Sequence, residues 1–188
     1  MEMKKQMTGG GAWFVLLVFC ALASHAQVPA DANKLTGKRH QRIDKVKVPD
    51  AVIKSFYTEY PTVTYQDWYD YPALGGSTDW YDYDPNWTYG HAENYAVEFA
   101  LNEVPYTCVY SRAGKKLATH RAIFDLPAAV SAAISAGSYH DWHLGYDNEE
   151  IYKDKATDQL KVYKVNLTLG AQQRTLYVQS DGKVLKDQ

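Results

Sequence analysis

Cysteine is scarce in this chain, with two in 188 residues. Cys20 and Cys108 cannot make a disulfide framework, and one mature cysteine with scattered histidines is too few ligands for a structural zinc site. Long hydrophobic runs are lacking too. The longest, Ala12 to Ala23, would span roughly 18 Å as a helix, against about 30 Å for a bilayer core. No nucleophile elbow, phosphate loop or dinucleotide fingerprint is present. Lysine and arginine are missing from Ser55 to Ser111, where Glu59, Asp67, Asp70, Asp79, Asp82, Asp84, Glu93, Glu98 and Glu103 stand alone. The whole chain is close to neutral, with 20 basic and 22 acidic residues and a net charge of −2, which argues against charge-driven binding of nucleic acid.

Order-promoting residues are plentiful: 46% of the chain is hydrophobic, with 16 Tyr and 5 Trp, a composition that folds. The N-terminus has the layout of a secretory signal: Lys4 and Lys5, the apolar run, then Ser24-His25-Ala26 with small residues flanking a cleavage point. Residues 1–26 are therefore expected to leave, placing the mature chain in the periplasm or outside the cell with no membrane span. Cys108, beside Val109 and Tyr110, is expected to face a core from a strand. Residues 27–47 carry six basic residues and few apolar ones, the composition of a mobile arm.

The remainder compares well with itself. Val48-Pro49-Asp50-Ala51-Val52-Ile53 aligns with Leu126-Pro127-Ala128-Ala129-Val130-Ser131, and the stretch from Thr107 to Leu117 aligns with that from Thr175 to Leu185. The first unit holds about ten residues more, placed by elimination in the Gly-, Pro- and aromatic-rich stretch from Tyr69 to Tyr89. Each unit opens with a proline-initiated helix. Val52, Ile53, Phe56, Tyr57 and Tyr60 recur at helical spacing before Pro61, and Val130 and Ile134 precede Gly137, a position suited to a left-handed cap. Period-two stretches follow, Tyr95 to Phe99 and Tyr163 to Leu167, with hairpin turns at Gly114 and Gly182. The predicted fold class is α+β: two tandem helix-plus-antiparallel-sheet repeats, residues 48–121 and 122–188, forming one two-layer domain with both helices on one face of the sheet.

These residues resemble the PepSY-like family of exported bacterial proteins, related in fold to beta-lactamase inhibitory protein. The resemblance rests on Val48-Pro49-x-Ala51-Val52-x-x-x-Phe56-x-x-x-Tyr60-Pro61, Asp67-Trp68, the Tyr95 to Phe99 strand and the two glycine hairpins. It implies tandem helix-plus-sheet units, export, and a role in binding or inhibiting other proteins, with no catalytic motif. The second helix departs from the pattern: Ala132, Ala133, Ser135 and Ala136 replace longer side chains.

The insertion interleaves acids with rings, in Asp67-Trp68-Tyr69-Asp70-Tyr71 and in Asp79-Trp80-Tyr81-Asp82-Tyr83-Asp84. Two readings are open. Either the rings line a core while the acids face water, or Trp68, Tyr69, Trp80, Tyr81, Asp82, Asp84 and Trp87 form a recognition surface. Rings on such a surface would cover area at low entropic cost and its carboxylates would receive lysine or arginine. The second makes the chain a non-enzymatic binding protein for a protein or peptide bearing basic residues. The alternative is carbohydrate binding, with sugar rings stacked on the aromatics. No metal or cofactor is expected: Asp79-x-x-Asp82-x-Asp84 lacks the glycine and terminal glutamate of a calcium loop, and His140-Asp141-x-His143 offers too few ligands for zinc.

Overall fold

A computed structural model describes residues 41–75, 79–83, 93–153 and 161–188. The signal segment and most of the basic arm lie outside them. The described chain begins with strand β1 (Arg42–Ile43) and a turn of 3-10 helix, Lys45–Lys47, which Asp44 caps by accepting from the Val46 amide. Helix α1 (Asp50–Glu59) follows Pro49 and ends at Tyr60, one residue before Pro61. Then come β2 (Gln66–Tyr71), β3 (Leu74–Gly75), β4 (Asp79–Tyr83), β5 (Asn94–Leu101), β6 (Val104–Ser111) and β7 (Lys116–Ile123). Helix α2 (Ala128–Ala136) separates these from β8 (His143–Leu144), β9 (Asn148–Tyr152), β10 (Lys161–Leu169), β11 (Gln172–Gln179) and β12 (Val184–Asp187).

The main sheet is antiparallel throughout and runs β1-β2-β5-β6-β7-β9-β10-β11-β12, with β8 pairing β10; β3 and β4 make a separate hairpin. Strand alternation sorts its side chains into clusters. Val52 and Phe56 of α1 pack on Trp68, Val97, Phe99, Cys108 and Tyr110. The Phe56 ring stands edge-on to Trp68 and Phe99 at 5.4 and 5.2 Å, geometry favoured by the ring quadrupole. Val130 and Ile134 of α2 pack on Tyr163, Val165, Leu167, Leu176 and Val178. The neighbours pointing the other way, Tyr69, Ala96, Val109 and Tyr177, join Ile151 and Val162 in a third cluster, which the β3–β4 hairpin covers with Trp80 and Tyr81.

The sheet's two ends differ. At one, the turns after β6 and β11 use Gly114 (φ +81°) and Gly182 (φ +91°). A Cβ on Gly114 would lie 2.8 Å from the Ala51 carbonyl carbon, and one on Gly182 would lie 2.9 Å from the Ala129 oxygen, so each turn fits beneath a helix only as glycine. At the other end, Asn102, Glu103 and Asp147 take positive φ without being glycine.

Two local expectations need correction. Gly137 caps α2 in an extended conformation, φ −95° and ψ −158°, rather than a left-handed one. Its missing side chain serves close approach instead, since a Cβ there would meet the Ala133 oxygen at 3.1 Å. The end of the arm is also held: Arg42 and Ile43 pair with Tyr69 and Trp68, Arg42 forms an ion pair with Asp67, and the Gln41 amide donates to Asp70 at 2.6 Å. One basic residue of this segment, Arg42, thus meets an acid of the first unit.

Candidate functional site

The expected recognition residues are mostly inside. Trp68 is 3% exposed beneath α1. Tyr69, Trp80, Tyr81 and Asp82 are 5%, 8%, 3% and 7% exposed, and Asp84 and Trp87 lie outside the described residues. The expectation that these rings stand open to solvent is therefore corrected. The reason lies in the sheet beneath them: Ala96, Val109 and Ala118 are small, so their face of the sheet has room for large rings from elsewhere. Three interactions tie the hairpin to the far half of the sheet: Tyr81 packs on Tyr177 at 5.1 Å, Lys153 sits 5.0 Å over the Trp80 ring, and Lys186 donates to Asp82 at 2.6 Å.

The same face holds a buried polar row. Register places Glu98 opposite Thr107 and Thr107 opposite His120. His120 Nδ1 lies 2.7 Å from Glu149 Oε2, and Lys164 Nζ donates to Glu149 Oε1 at 3.1 Å. Burial pushes the Glu98 carboxyl up to about 7, against a hydrogen bond from Tyr69 that lowers it. Burial also acts to raise Glu149, but Lys164 and His120 outweigh it and hold that carboxyl below its ordinary range. A carboxyl near 7 two strands from an imidazole has acid–base chemistry in principle, yet Glu98 is 7% exposed, Glu149 1% and His120 6%. Proton transfer needs a substrate within hydrogen-bond reach, and these groups are closed off. Glu149, His120 Nδ1 and Lys164 satisfy one another, whereas Thr107 Oγ1 and His120 Nε2 have no hydrogen-bond partner among the described residues. The sequence signals they left were Glu98 in an apolar strand and Glu149-Glu150 beside Ile151.

Cys108 lies in the core as expected, Sγ 3.6 Å from the Tyr60 hydroxyl, and burial pushes its thiol up, away from nucleophilic reactivity. His140 Nε2 and Asp141 Oδ2 are 3.0 Å apart on an exposed turn. No group of three metal-ligating side chains occurs among the described residues.

What sequence reasoning missed is a set of exposed apolar side chains near the turns opposite Gly114 and Gly182. Phe124 is 79% exposed, Tyr146 91% and Leu144 46%. Tyr65, 64% exposed, precedes β2 toward the same end. Their signal was an aromatic followed at once by an acid, in Phe124-Asp125 and Tyr146-Asp147.

No family model and no curated protein matches the chain. Solved structures do. The chain is similar to a candidate periplasmic protein from Bacteroides eggerthii, at 16% identity and a TM-score of 0.57 over 75% of this chain and 88% of that one. It is similar to a DUF2874 family protein from Bacteroides ovatus, at 16% identity and a TM-score of 0.55 over 74% and 86%. It is also similar to a BLIP-like protein from Bacteroides fragilis, at 16% identity and a TM-score of 0.53 over 74% and 85%. The fold is BLIP-like. No helix among the described residues is long and apolar enough to cross a membrane.

Proposed function

We propose that the chain is an exported, non-enzymatic module that binds a protein or peptide bearing basic residues, built from two PepSY-like units at residues 48–121 and 122–188. The BLIP-like fold is the observation that carries this reading. Export is supported by the leader pattern of residues 1–26 and by the similarity to a candidate periplasmic protein. The tandem reading draws support from the glycine turns: the sequence alignment pairs Ala51 with Ala129 and Gly114 with Gly182, and each glycine approaches the alanine of its own unit. One row of the sheet supports placing both helices on one face. Phe99 lies opposite Tyr106, Tyr106 opposite Arg121, Arg121 opposite Glu150, Glu150 opposite Tyr163 and Tyr163 opposite Val178, which joins a residue packed under α1 to residues packed under α2.

The seven residues expected to make contacts enter this proposal in a changed role. Trp68, Tyr69, Trp80, Tyr81 and Asp82 hold the scaffold, with Asp84 and Trp87 outside the described residues. The carbohydrate reading needs the same rings as open platforms and loses support from their burial. The test is capture from envelope extract by the tagged chain recovered after expression with its own leader. A bound protein released by salt supports the proposal; binding competed only by free oligosaccharide, or turnover of any substrate, overturns it.

A further inference from the structure

We infer that the turn end of the sheet around Phe124 and Tyr146 is a contact surface for a segment of another protein that alternates apolar residues with lysine or arginine. The inference rests on the preceding reading only for the class of ligand. The register assembles the surface. Ile123 lies opposite Asn148, so the next residues outward, Phe124 and Asp147, are neighbours. On its other side β7 pairs with β6, Tyr106 opposite Arg121, and Glu103 stands in the turn that leads into β6 at this same end. Leu144 joins from β8, opposite Leu167. Phe124, 79% exposed, and Tyr146, 91% exposed, therefore share this end of the sheet with the carboxylates of Glu103, Asp125 and Asp147.

Charge argues for what covers it. Glu103, Asp125 and Asp147 take part in no ion pair among the described residues, and the segments 102–103, 124–125 and 145–147 contain no lysine or arginine. The opposite end of the sheet carries Arg112, Lys115 and Lys183 on its turns. Backbone choice differs in part as well, since this end has Gly170 at φ +59° in the β10–β11 turn but acids in two other positive-φ positions. Where positive φ is needed under the helices the chain uses glycine, whereas Glu103 and Asp147 hold φ of 67° and 60° with carboxylate side chains. Aspartate visits that region routinely but glutamate does not, so Glu103 is the position whose side chain calls for a reason. Exposed rings flanked by carboxylates suit guanidinium or ammonium groups, which stack on the one and pair with the other, while Leu144 takes the apolar residues between.

The test uses fluorescence anisotropy with the mature chain and two labelled peptides of equal length. One alternates leucine with arginine; in the other glutamine replaces each arginine. The arginine peptide is expected to bind at least about tenfold more tightly at low salt, with the preference shrinking as salt shortens the reach of the charges. Phe124→Ser with Tyr146→Ser should weaken it about tenfold or more. Glu103→Gln with Asp147→Asn should weaken it at low salt and match the wild type at high salt. Thermal midpoints of both variants within a few degrees of the wild type would show that folding is intact. Equal binding of the two peptides, binding unchanged in both variants, or no binding of either peptide overturns this surface, while salt-sensitive capture from envelope extract would leave the binding-module reading standing. Concentration-dependent self-association that both variants abolish assigns the surface to a second copy of the chain, its basic turns against these acidic ones, and likewise overturns the proposal.

Discussion

Aromatic and acidic residues are interleaved in two places, and the two behave oppositely. In the β3–β4 hairpin, Trp80, Tyr81 and Asp82 are consecutive and all buried. At the turn end, Phe124 and Tyr146 are open to water beside Asp125 and Asp147. Composition does not separate them. What does is the surface each meets: the hairpin lies against a sheet face of small residues, and its carboxylate finds Lys186. The turns lie at the end of the sheet, where Phe124 and Tyr146 stay exposed among the described residues. A ring becomes core when the molecule elsewhere has too little volume to fill its own face.

The largest effect that tests this contrast comes from deleting rings at both places. Replacing Tyr81 with Ala removes contact with Tyr177 and opens a cavity, and Trp80→Ala removes the stack under Lys153. Each is expected to cost about 3 to 5 kcal/mol, and the pair together should bring the domain close to unfolding at growth temperature. Phe124→Ser and Tyr146→Ser should each stay within about 0.5 kcal/mol. Denaturant unfolding of the four single variants measures both. Equal small effects would mean that the hairpin is not part of the core.

Much of the fold was legible because it rests on local rules. Proline before α1 and α2, the helical spacing of Val52 and Phe56, the alternation in β5 and β10, and glycine at the turns need only neighbours along the chain. The burial of Trp80 was not legible, since it depends on Ala96, Val109 and Ala118 lying beneath it, residues that approach only after the sheet has formed. Glu149 and His120 likewise meet across strands 29 residues apart. The exposed turn end was hidden because nothing local along the chain marks Phe124 and Tyr146 as exposed. Only the register shows that they fall just past the last paired residues.

The next largest effect separates the two ends of the sheet. Gly114→Ala forces a Cβ against the Ala51 backbone and within 2.9 Å of Ser55 Oγ, at a φ of +81°. Backbone strain and displacement of α1 together should cost about 2 to 4 kcal/mol. Gly170→Ala, at φ +59° with nothing within 4 Å, carries the conformational penalty alone, about 1 kcal/mol. Thermal unfolding of both variants tests whether the glycine turns are packed or merely bent. A Gly114 variant no worse than the Gly170 variant would remove the contact with α1 from the account.

Glu98 gives a pH signature to the face that the hairpin covers. Its carboxyl is raised by burial to about 7 in the folded state from an ordinary 4.5, so the folded chain holds this proton more tightly than the unfolded chain. The stability this contributes is fully present below pH 4.5 and is lost as pH rises through 7, an effect of at most about 3 kcal/mol. Glu149, lowered in the folded state, works in the opposite sense and adds stability that is lost on acidification. Glu98→Gln isolates the first effect: relative to wild type, the variant should gain stability between pH 5 and 8 and level off above. A pH-independent difference in thermal midpoint between the two chains would show that the carboxyl is not buried as described.

The smallest effect bears on why the exposed end keeps its acids. Glu103 holds φ of 67° in the turn between β5 and β6, next to Asn102 at 51°. Glycine adopts that conformation freely, but it also frees the unfolded chain, so the two consequences of Glu103→Gly oppose each other. Release of the left-handed penalty, about 1 kcal/mol or slightly more, should exceed the entropic loss and leave a net gain of a few tenths of a kcal/mol. Such a gain, measured by chemical unfolding together with weaker binding of the arginine peptide, would mean that the carboxylate is kept for contact at the expense of stability. A loss of stability with binding unchanged would make Glu103 a structural turn residue and leave Phe124 and Tyr146 without an acidic flank on that side.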